Sequence, residues 1–371
     1  MIYLDSAATS LLKPQCVGEA MAAAMGRCAS PGRGSHESAR LAAEVCWDCR
    51  CAAAELFHVE SEEQVVFTMN ATHAINLAIH SLVGPGDRVV ISGWEHNAVV
   101  RPLHARGAVI DVAAAPLFDR EGTLEAFARR LSGARAAVCT HVSNVFGFIL
   151  PIYDIARLCK AAGVPLIVDA AQSAGVLPLD FQRLDCAFAA MPGHKGLMGP
   201  QGTGLLLCHG ETKPLLFGGS GSLSRERDMP AFLPDRLEAG TQNVPGIAGL
   251  LEGIRYVQST GVEQIERCER SQLRLFAAEL GDSVGQLMLS PDPSLQSGVL
   301  SLLPRDIDCE EAAELLGQGG VAVRAGLHCA PLAHESAGTL RSGTVRFSFS
   351  PRLRRDDVLL GAKYTKEILG K

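Results

Sequence analysis

Two segments of the sequence place an ionisable side chain directly after an apolar run. Asp169 ends the run 164–168, so its carboxylate is expected to be partly desolvated and to require a cationic or hydrogen-bonding partner. Lys195 follows the apolar run 186–191 and has glycine on both sides of the pair His194-Lys195. Desolvation and a neighbouring cation lower the pKa of an amine and make it nucleophilic, which Schiff-base chemistry requires. Taken alone, Asp169 is more typical of a helix cap and Lys195 of an ordinary loop lysine.

A third segment, residues 324–330, surrounds a cysteine with positive charge. Cys329 follows His328 and lies five residues after Arg324, so positive potential would favour its thiolate over its thiol. The glycine and small residues of this segment imply a mobile or closely approached loop. A buried cysteine beside a strand explains the same pattern equally well, and the residues alone leave both interpretations open.

Short apolar runs that alternate with helical patterns are expected to position these side chains. Near-continuously apolar strands separated by helices, such as 72–82 and 154–162, predict an α/β fold with a parallel sheet covered on both faces. The run at residues 203–208 follows the preceding strand closely enough to turn back antiparallel to it. Ligands bind at the carboxyl ends of parallel strands, where Asn144, Asp169 and Lys195 would lie. The predicted strands span residues 65–68, 88–92, 108–112, 136–141, 165–169, 186–191 and 203–208.

The chain length predicts two domains, since 371 residues correspond to about two units of roughly 150 residues. We expect a long helix to begin near Glu252 and to open the smaller domain. Strands are predicted there at residues 298–303 and 344–349, mixed with helices.

The composition excludes several function classes. Lys and Arg number 34 against 40 Asp and Glu, a net charge of −6, so there is no basic excess to hold a nucleic-acid backbone. Hydrophobic residues make up 47% of the chain, enough to bury a sizeable core, yet no apolar run reaches the roughly 18 residues that a membrane span requires. The first residues lack the pattern of a signal peptide, and we expect a cytoplasmic protein.

Twelve cysteines are many for a cytoplasmic chain, and most are expected to be buried as small hydrophobic residues. The densest group is Cys46, Cys49 and Cys51, within the predicted helix 40–57. Cys46 and Cys49 share a helical face, whereas Cys51 lies on nearly the opposite side. One metal ion could not bind all three thiols without unwinding the helix, so packed thiols are favoured over a metal site.

Four motifs occur in order along the chain: Asp-x-x-Gln at 169–172, Gly-His-Lys at 193–195, Glu-Ala-Gly-Thr at 238–241 and Arg-x-Gly-x-His-Cys at 324–329. Together they resemble the cysteine desulfurase and selenocysteine lyase family, within the class V aminotransferase group of pyridoxal phosphate (PLP) enzymes. The resemblance covers nearly the whole chain, from Tyr3 to Phe347, and is closest to the Suf-type branch. It implies PLP-dependent transferase fold type I: a large domain, 15–251, with a mostly parallel seven-stranded sheet, and a smaller α+β domain from residues 1–14 and 252–371.

The resemblance also implies how PLP would be bound. Lys195 would bind it covalently, and Asp169 would pair with its ring nitrogen so that the ring can act as an electron sink. His96 would stack on the ring and could relay protons. The remaining predicted contacts are Gln172 to the ring's phenolic oxygen, Asn144 to cofactor and substrate, Thr72 and His194 to the phosphate, and Thr241 to the phosphate of a neighbouring subunit in a homodimer.

For the substrate, the resemblance implies conversion of L-cysteine to L-alanine. Arg346 would bind the substrate carboxylate, Cys329 would accept the sulfur as a persulfide, and His36 lies near the substrate entrance by family position. The persulfide would then pass to an acceptor protein or small thiol, for iron–sulfur clusters, cofactors or thiolated products. No metal ion is implied.

The sequence departs from the family pattern at several positions. Ser6 stands where the family has Asn, Ala71 replaces a hydroxyl residue beside Thr72, and Pro192 replaces the serine that precedes Gly-His-Lys. We expect weaker retention of PLP from the lost contacts. Residues 350–352 also replace the family's usual segment after Arg346, which bears on the identity of the substrate.

Four alternatives follow from the same residues. A selenocysteine lyase would use the same loop, because selenium and sulfur differ little in size. Another class V PLP aminotransferase or lyase would leave Cys329 without a role. A non-catalytic scaffold with this fold would explain the altered phosphate contacts, but Lys195, Asp169, His96 and Cys329 all argue against it. A metal-site protein built on Cys46, Cys49 and Cys51 is the least favoured.

Overall fold

The computed structural model describes residues 1–31 and 34–370, and within these ranges the strands form sheets of seven, four and two strands. The strands are β1 (Ile2–Tyr3), β2 (Val65–Thr68), β3 (Arg88–Ser92), β4 (Val109–Ala113), β5 (Ala136–Thr140), β6 (Leu166–Asp169), β7 (Phe188–Pro192), β8 (Gly204–Cys208), β9 (Gly285–Leu287), β10 (Val299–Pro304), β11 (Val321–Ala322), β12 (Arg324–Gly326) and β13 (Thr344–Ser348).

Helices cover most of the remaining chain. They are α1 (Gln15–Arg27), α2 (Glu37–Phe57), α3 (Ala71–Leu82), α4 (Asn97–Ala105), α5 (Arg120–Arg130), α6 (Ile152–Ala162), α7 (Phe181–Leu184), α8 (Val244–Thr260), α9 (Val262–Leu280), α10 (Cys309–Gln318), α11 (Pro331–Ser336) and α12 (Arg355–Leu369). None of the helices in the described ranges is long and apolar enough to cross a membrane.

The seven-stranded sheet has the order β2-β8-β7-β6-β5-β3-β4 and confirms the predicted α/β architecture. Strands β7, β6, β5, β3 and β4 are parallel, and β8 pairs antiparallel with both β7 and β2, as predicted for the returning strand. The central strands are buried along their whole length because both faces are covered.

Alternate strand residues enter the two cores on either side of this sheet. On β6, Leu166 and Val168 pack with α2, α6 and α8, whereas Ile167 packs with α3 and α4. This alternation follows the period of two in a pleated strand. The sheet is therefore held from both faces, which fixes the positions of the residues that follow its strands.

The predicted strands lie within two residues of the observed ones, but the predicted start of the long helix was wrong. Helix α8 begins at Val244 rather than near Glu252, because the Asn243 side chain caps it by accepting the Gly246 N–H and Pro245 lies in its first turn. The helical region is also divided: Gly261, with φ +85°, ends α8 and precedes α9.

The four-stranded sheet has the order β12-β13-β10-β9 and is antiparallel throughout. Helices α9, α10 and α12 contribute apolar residues to its core, with Phe276 and Phe347 at a ring-centroid distance of 4.8 Å. Strands β10 and β13 confirm the predicted strands at 298–303 and 344–349. The division into domains at 14/15 and 251/252 stays a prediction.

Residues 4–10, which we call the crossing segment, connect the two larger sheets. The Ser348 N–H donates to the Leu4 carbonyl, and the Ala7 N–H donates to Ser348 Oγ, both at 2.8 Å. Farther along, the Ser10 N–H donates to the His194 carbonyl at 2.9 Å. The crossing segment thereby lies between β13 and the loop that carries Lys195.

Candidate active site

A cleft of about 220 Å³ lies at the carboxyl ends of β5, β6 and β7 and the beginning of α3. This is the edge at which the sequence predicted a ligand site. The structure brings eight of the predicted site residues together in its walls: Thr72, His96, Asn144, Asp169, Gln172, His194, Lys195 and Arg346.

Asp169 is the last residue of β6, and its side chain is buried. Its Oδ1 accepts the Ala171 N–H at 2.8 Å, within a turn rather than at the start of a helix. Burial raises the pKa of this carboxyl, while the Ala171 N–H and Lys195 lower it. No described residue forms an ion pair with it, so a cation reaching into the cleft would complete its environment.

Lys195 is half-buried and faces the cleft. Burial, with a further contribution from Arg346, lowers the pKa of its amine to about 8, although Asp169 raises it. The neighbouring glycines allow close approach: a Cβ on Gly193 would lie 2.1 Å from Thr203 Oγ1, and one on Gly196 would lie 2.4 Å from the Ala174 carbonyl oxygen. The site thus holds an amine with a substantial neutral fraction near neutral pH.

Two neutral histidines accompany this lysine. Burial lowers the pKa of both His96 and His194 to about 4, and Lys195 lowers it further in each case. His96 caps α4 by accepting the Ala98 N–H on Nδ1 at 3.0 Å, so its proton resides on Nε2. His194 Nδ1 lies 3.1 Å from Thr9 Oγ1 of the crossing segment.

Arg346 projects from β13 and is only 1% exposed. Its guanidinium donates to Asp5 Oδ1 at 2.6 Å and to the Asn144 carbonyl at 3.0 Å, and Nε has no partner among the described residues. Burial lowers the pKa of Arg346, whereas Asp5 raises it. A buried guanidinium with a free donor in the cleft is suited to bind a carboxylate.

Cys329 is exposed and lies beside the cleft, whose wall includes Arg324 and His328. The Arg324 guanidinium is 3.7 Å from its Sγ. The Asn97 N–H donates to the Cys329 carbonyl, and Asn144 Nδ2 donates to the His328 carbonyl, both at 2.8 Å. Both His328 and Cys329 have left-handed backbones, with φ of 52° and 58°, so these two bonds hold a strained turn.

Two predicted site residues lie elsewhere. Thr241 is exposed in a second cleft, between α2 and the loop 219–242. His36 is exposed at the start of α2 and does not line the cleft that contains Lys195. Within one chain, therefore, neither side chain contributes to the site.

The structure adds residues that the sequence reasoning missed. Asp5 lies 341 residues before its partner, and only the fold shows that this partner is Arg346. Asn70 caps α3 by accepting the His73 N–H, a role that its position before an amphipathic run could have indicated. Glu95 is fully buried beside His96 and accepts the Thr140 N–H at 2.8 Å; burial is the main cause that raises its pKa to about 8.

The cysteine group of α2 has the packing role that was expected. Cys46 and Cys49 are buried and Cys51 is half-buried, and burial raises the pKa of Cys46 to about 11. The residues that the structure describes contain no group of three or more His, Cys, Asp or Glu arranged to hold a metal ion. All twelve cysteines lie in these ranges, and none forms a disulfide.

Comparisons with known proteins show the family of this chain. The family model described as "Aminotransferase class-V" matches residues 2–360. A probable cysteine desulfurase of Methanothermobacter thermautotrophicus is 32% identical, covering 95% of this chain and 92% of its own length. A cysteine desulfurase of Yersinia pestis is also 32% identical, covering 89% of this chain and 84% of its own.

Solved structures show the same relationship. The apo cysteine desulfurase of Thermococcus onnurineus superposes with a TM-score of 0.91 at 28% identity, covering 99% of this chain and 94% of that one. A cysteine desulfurase of Escherichia coli, solved in its S-sulfonic acid form, gives 0.86 at 26% identity with the same coverage. These matches confirm the predicted fold type and family. The chain belongs to the class V aminotransferase family, alongside enzymes named as cysteine desulfurases.

Proposed function

We propose that this protein is a PLP-dependent cysteine desulfurase, which converts L-cysteine to L-alanine and takes up the sulfur on Cys329. The observation that carries the proposal is the position of an exposed thiol beside the cleft of Lys195 and Asp169. Two backbone carbonyls of its turn are bonded to groups on the other side of the cleft. Relatives of about 32% identity named cysteine desulfurase support the same activity.

The residues of the cleft fit PLP. Asp169 offers a buried carboxylate without an ion pair among the described residues, which suits a protonated ring nitrogen. Lys195 offers a partly neutral amine for covalent attachment, and Gln172 and His96, which line the same cleft, would contact the ring. Bound PLP supplies an electron-withdrawing ring that stabilises negative charge developing on the substrate.

The phosphate would lie at the start of α3, where Thr72 lines the cleft. Unpaired N–H groups at a helix N-terminus and the aligned peptide dipoles favour an anion there. His194 is on the opposite wall and donates or accepts according to its tautomer. Ala71 and Pro192 also line this part of the cleft, so the departures from the family pattern fall where they would remove phosphate contacts.

Arg346 would bind the substrate carboxylate through its free Nε and a terminal nitrogen. Asp5 already occupies part of the guanidinium, and it keeps Arg346 charged despite complete burial. Asn144 links the substrate side to the reactive loop, because its carbonyl accepts from Arg346 while its amide donates to the His328 carbonyl. A carboxylate bound by Arg346 would thereby be held on the same side of the cleft as the loop of Cys329.

Lys195 Nζ would move the proton from the substrate Cα. Its lowered pKa suits both directions of that transfer near neutral pH. The Cys329 thiolate then attacks the substrate sulfur. The substrate C–S bond breaks, an S–S bond forms on Cys329, and the carbon takes up a proton to give alanine, so a cysteine and a thiol become alanine and a persulfide.

We also infer a homodimer in which Thr241 contacts the phosphate of the neighbouring subunit. Its exposure in a separate cleft supports this role, because it does not line the cleft of its own chain. Nearby Leu216 and Phe217 are 46% and 75% exposed, an apolar surface that a second subunit would cover. We propose the cytoplasm as the location and a sulfur-acceptor protein, as in iron–sulfur cluster assembly, as the partner.

The test is release of alanine from L-cysteine by PLP-loaded protein in the presence of a thiol reductant. We expect alanine from the wild type, none from Cys329→Ala, and wild-type amounts from a matched control, Cys16→Ala. Absence of alanine from PLP-loaded wild type would contradict the proposal, and selenocysteine would be the next substrate. Activity retained in Cys329→Ala would indicate a different class V reaction.

A further inference from the structure

A second, small cavity shares Gln172 and Lys195 with the cleft but is otherwise lined by residues that the proposed reaction does not use. Its open volume is about 30 Å³, and about 10–15 Å³ is enough for one water-sized guest. Seven oxygen-bearing side chains contribute to its walls: Ser6, Ser10, Gln172, Glu269, Ser297, Ser348 and Ser350.

Glu269 is the one acidic side chain of this wall. It lies on α9, is 8% exposed, and forms no hydrogen bond or ion pair with any residue that the structure describes. Gly298 packs directly against it: a Cβ on Gly298 would lie 2.9 Å from Glu269 Oε2. Burial alone raises the pKa of Glu269 to about 8, and no nearby positive charge, Lys195 included, lowers it.

Ser297 supplies a second unsatisfied group to the same cavity. It is 3% exposed, and its Oγ is buried without a partner in the described parts of the chain. Buried polar atoms are almost always hydrogen-bonded, so the unpartnered Ser297 hydroxyl, in one wall with the Glu269 carboxyl, indicates a guest in this cavity. The neighbouring hydroxyls of Ser6 and Ser350 can complete its coordination.

We propose that this cavity binds a monovalent cation, K⁺ or Na⁺, with Glu269 and Ser297 as ligands. Burial keeps the Glu269 carboxyl protonated near neutral pH, and a cation beside it would favour the ionised form that can act as a ligand. One carboxylate balances one positive charge, whereas a divalent ion would be left with an excess charge. Neutral hydroxyl and amide oxygens are the ligands that hard cations prefer.

The position of the site gives the ion a structural effect. Glu269 belongs to α9, Ser297 to the segment before β10, and Gln172 and Lys195 to the loops after β6 and β7. A bound cation therefore connects the four-stranded part of the molecule to the wall of the cleft. This inference does not depend on the reaction that the cleft catalyses.

The test compares melting temperatures of the PLP-loaded protein in KCl, NaCl and choline chloride at equal ionic strength and pH. We expect K⁺ or Na⁺ to raise the Tm by about 2–4 °C over choline, saturably, at concentrations near a hundred times the Kd. Glu269→Gln is expected to lose this ion dependence. The control Glu263→Gln, an exposed glutamate of the same helix, is expected to keep it.

Equal Tm values in the three salts would overturn the proposal, as would an unchanged ion dependence in Glu269→Gln. If Glu269→Gln does not fold, the apparent Kd for the ion is measured in Ser297→Ala instead. Removing one ligand is expected to raise the apparent Kd for the ion about tenfold, and an unchanged Kd in Ser297→Ala would overturn the site. Because the readout is the Tm, failure of the desulfurase proposal leaves this test unaffected.

Discussion

The amine of Lys195 acquires its reactivity from its surroundings rather than from its own sequence neighbours. Burial and the Arg346 guanidinium lower its pKa to about 8, while Asp169 limits the shift. The two positive side chains Lys195 and Arg346 are therefore kept in one cleft by two carboxylates, Asp169 and Asp5. Removing either carboxylate would change both the charge and the proton affinity of the site.

We predict that covalent attachment of PLP to the cofactor-free protein accelerates with pH up to about 8 and then levels off. Only the neutral amine is nucleophilic, so the rate should fall about tenfold per pH unit below the pKa. The measurement is borohydride-trapped PLP against time between pH 6 and 9.5. A free lysine derivative with a pKa near 10.4 serves as the control and should show no plateau in this range. A rate that keeps rising above pH 9 would contradict the lowered pKa.

Pro192 gives a second prediction at the residue scale. A hydroxyl at this position of the cleft can donate to the phosphate, and a hydrogen bond to a charged group contributes about 1.5–3 kcal/mol. Pro192→Ser should therefore lower the Kd for PLP about tenfold or more. The Kd is measured in a Lys195→Ala background, which removes the covalent bond. The control Pro192→Ala removes the proline ring without adding a hydroxyl. Equal Kd values for Pro192→Ser and Pro192→Ala would show that the serine hydroxyl does not contact the phosphate.

At the scale of elements, the loops after β6 and β7 are held together by glycines that leave no room for a side chain. Gly193 meets Thr203 at the end of the β7–β8 pair, where Pro192 is opposite Gly204. Gly18, in α1, has no atom within 4 Å of its missing Cβ. The surroundings of Gly193 therefore leave no room for a side chain, whereas those of Gly18 do.

We expect opposite effects of alanine at these positions. Gly193→Ala forces Thr203 and β8 to move, so it should lower the free energy of unfolding by about 1–3 kcal/mol. Gly18→Ala should raise it by about 0.5–1 kcal/mol, because alanine restricts the unfolded chain and favours the helix. Urea unfolding measures both. Stabilisation by Gly193→Ala would show that the hairpin accommodates a Cβ without strain.

The accuracy of the sequence-based predictions differed between elements for physical reasons. The strands of the large sheet were predicted to within two residues because burial on both faces makes them continuous apolar runs. The start of α8 was missed because its signals are only the capping Asn243 and Pro245 in the first turn, which follow a polar loop without periodicity. Half of the eight predicted cleft residues came from the ordered motifs, whereas Asp5 pairs with a residue at the far end of the sequence and had no local signature.

Across the whole molecule, five histidines are held neutral by burial. The pKa is lowered to about 4 for His96, His141, His194 and His334 and to about 3 for His328, with burial the main cause in each. Two buried glutamates, Glu95 and Glu269, act in the opposite direction because their pKa values are raised to about 8. The histidines and the glutamates therefore have opposite effects on how stability depends on pH between about 4.5 and 6.5.

We predict that the cofactor-free protein loses stability as the pH falls from about 6.5 to 4.5. In this window the unfolded chain binds protons on the five histidines that the folded chain does not, which outweighs the opposite effect of the two glutamates. Each proton of net difference contributes about 1.4 kcal/mol per pH unit to the slope. Urea midpoints at several pH values measure it. A flat profile would show that these histidines are protonated in the folded protein.

The ion pair of Asp5 with Arg346 also sets when the cleft can first exist during synthesis. The ribosome must add 341 residues after Asp5 before the guanidinium is made. At about 5–20 residues per second, that interval is roughly 20–70 s. Lys195 is made 151 residues before Arg346, so for about 8–30 s this amine is present while the wall that β13 provides is still missing. The yield of PLP-loaded protein would then depend on how well this amine is protected until the cleft is complete, and on how fast the cofactor binds after release.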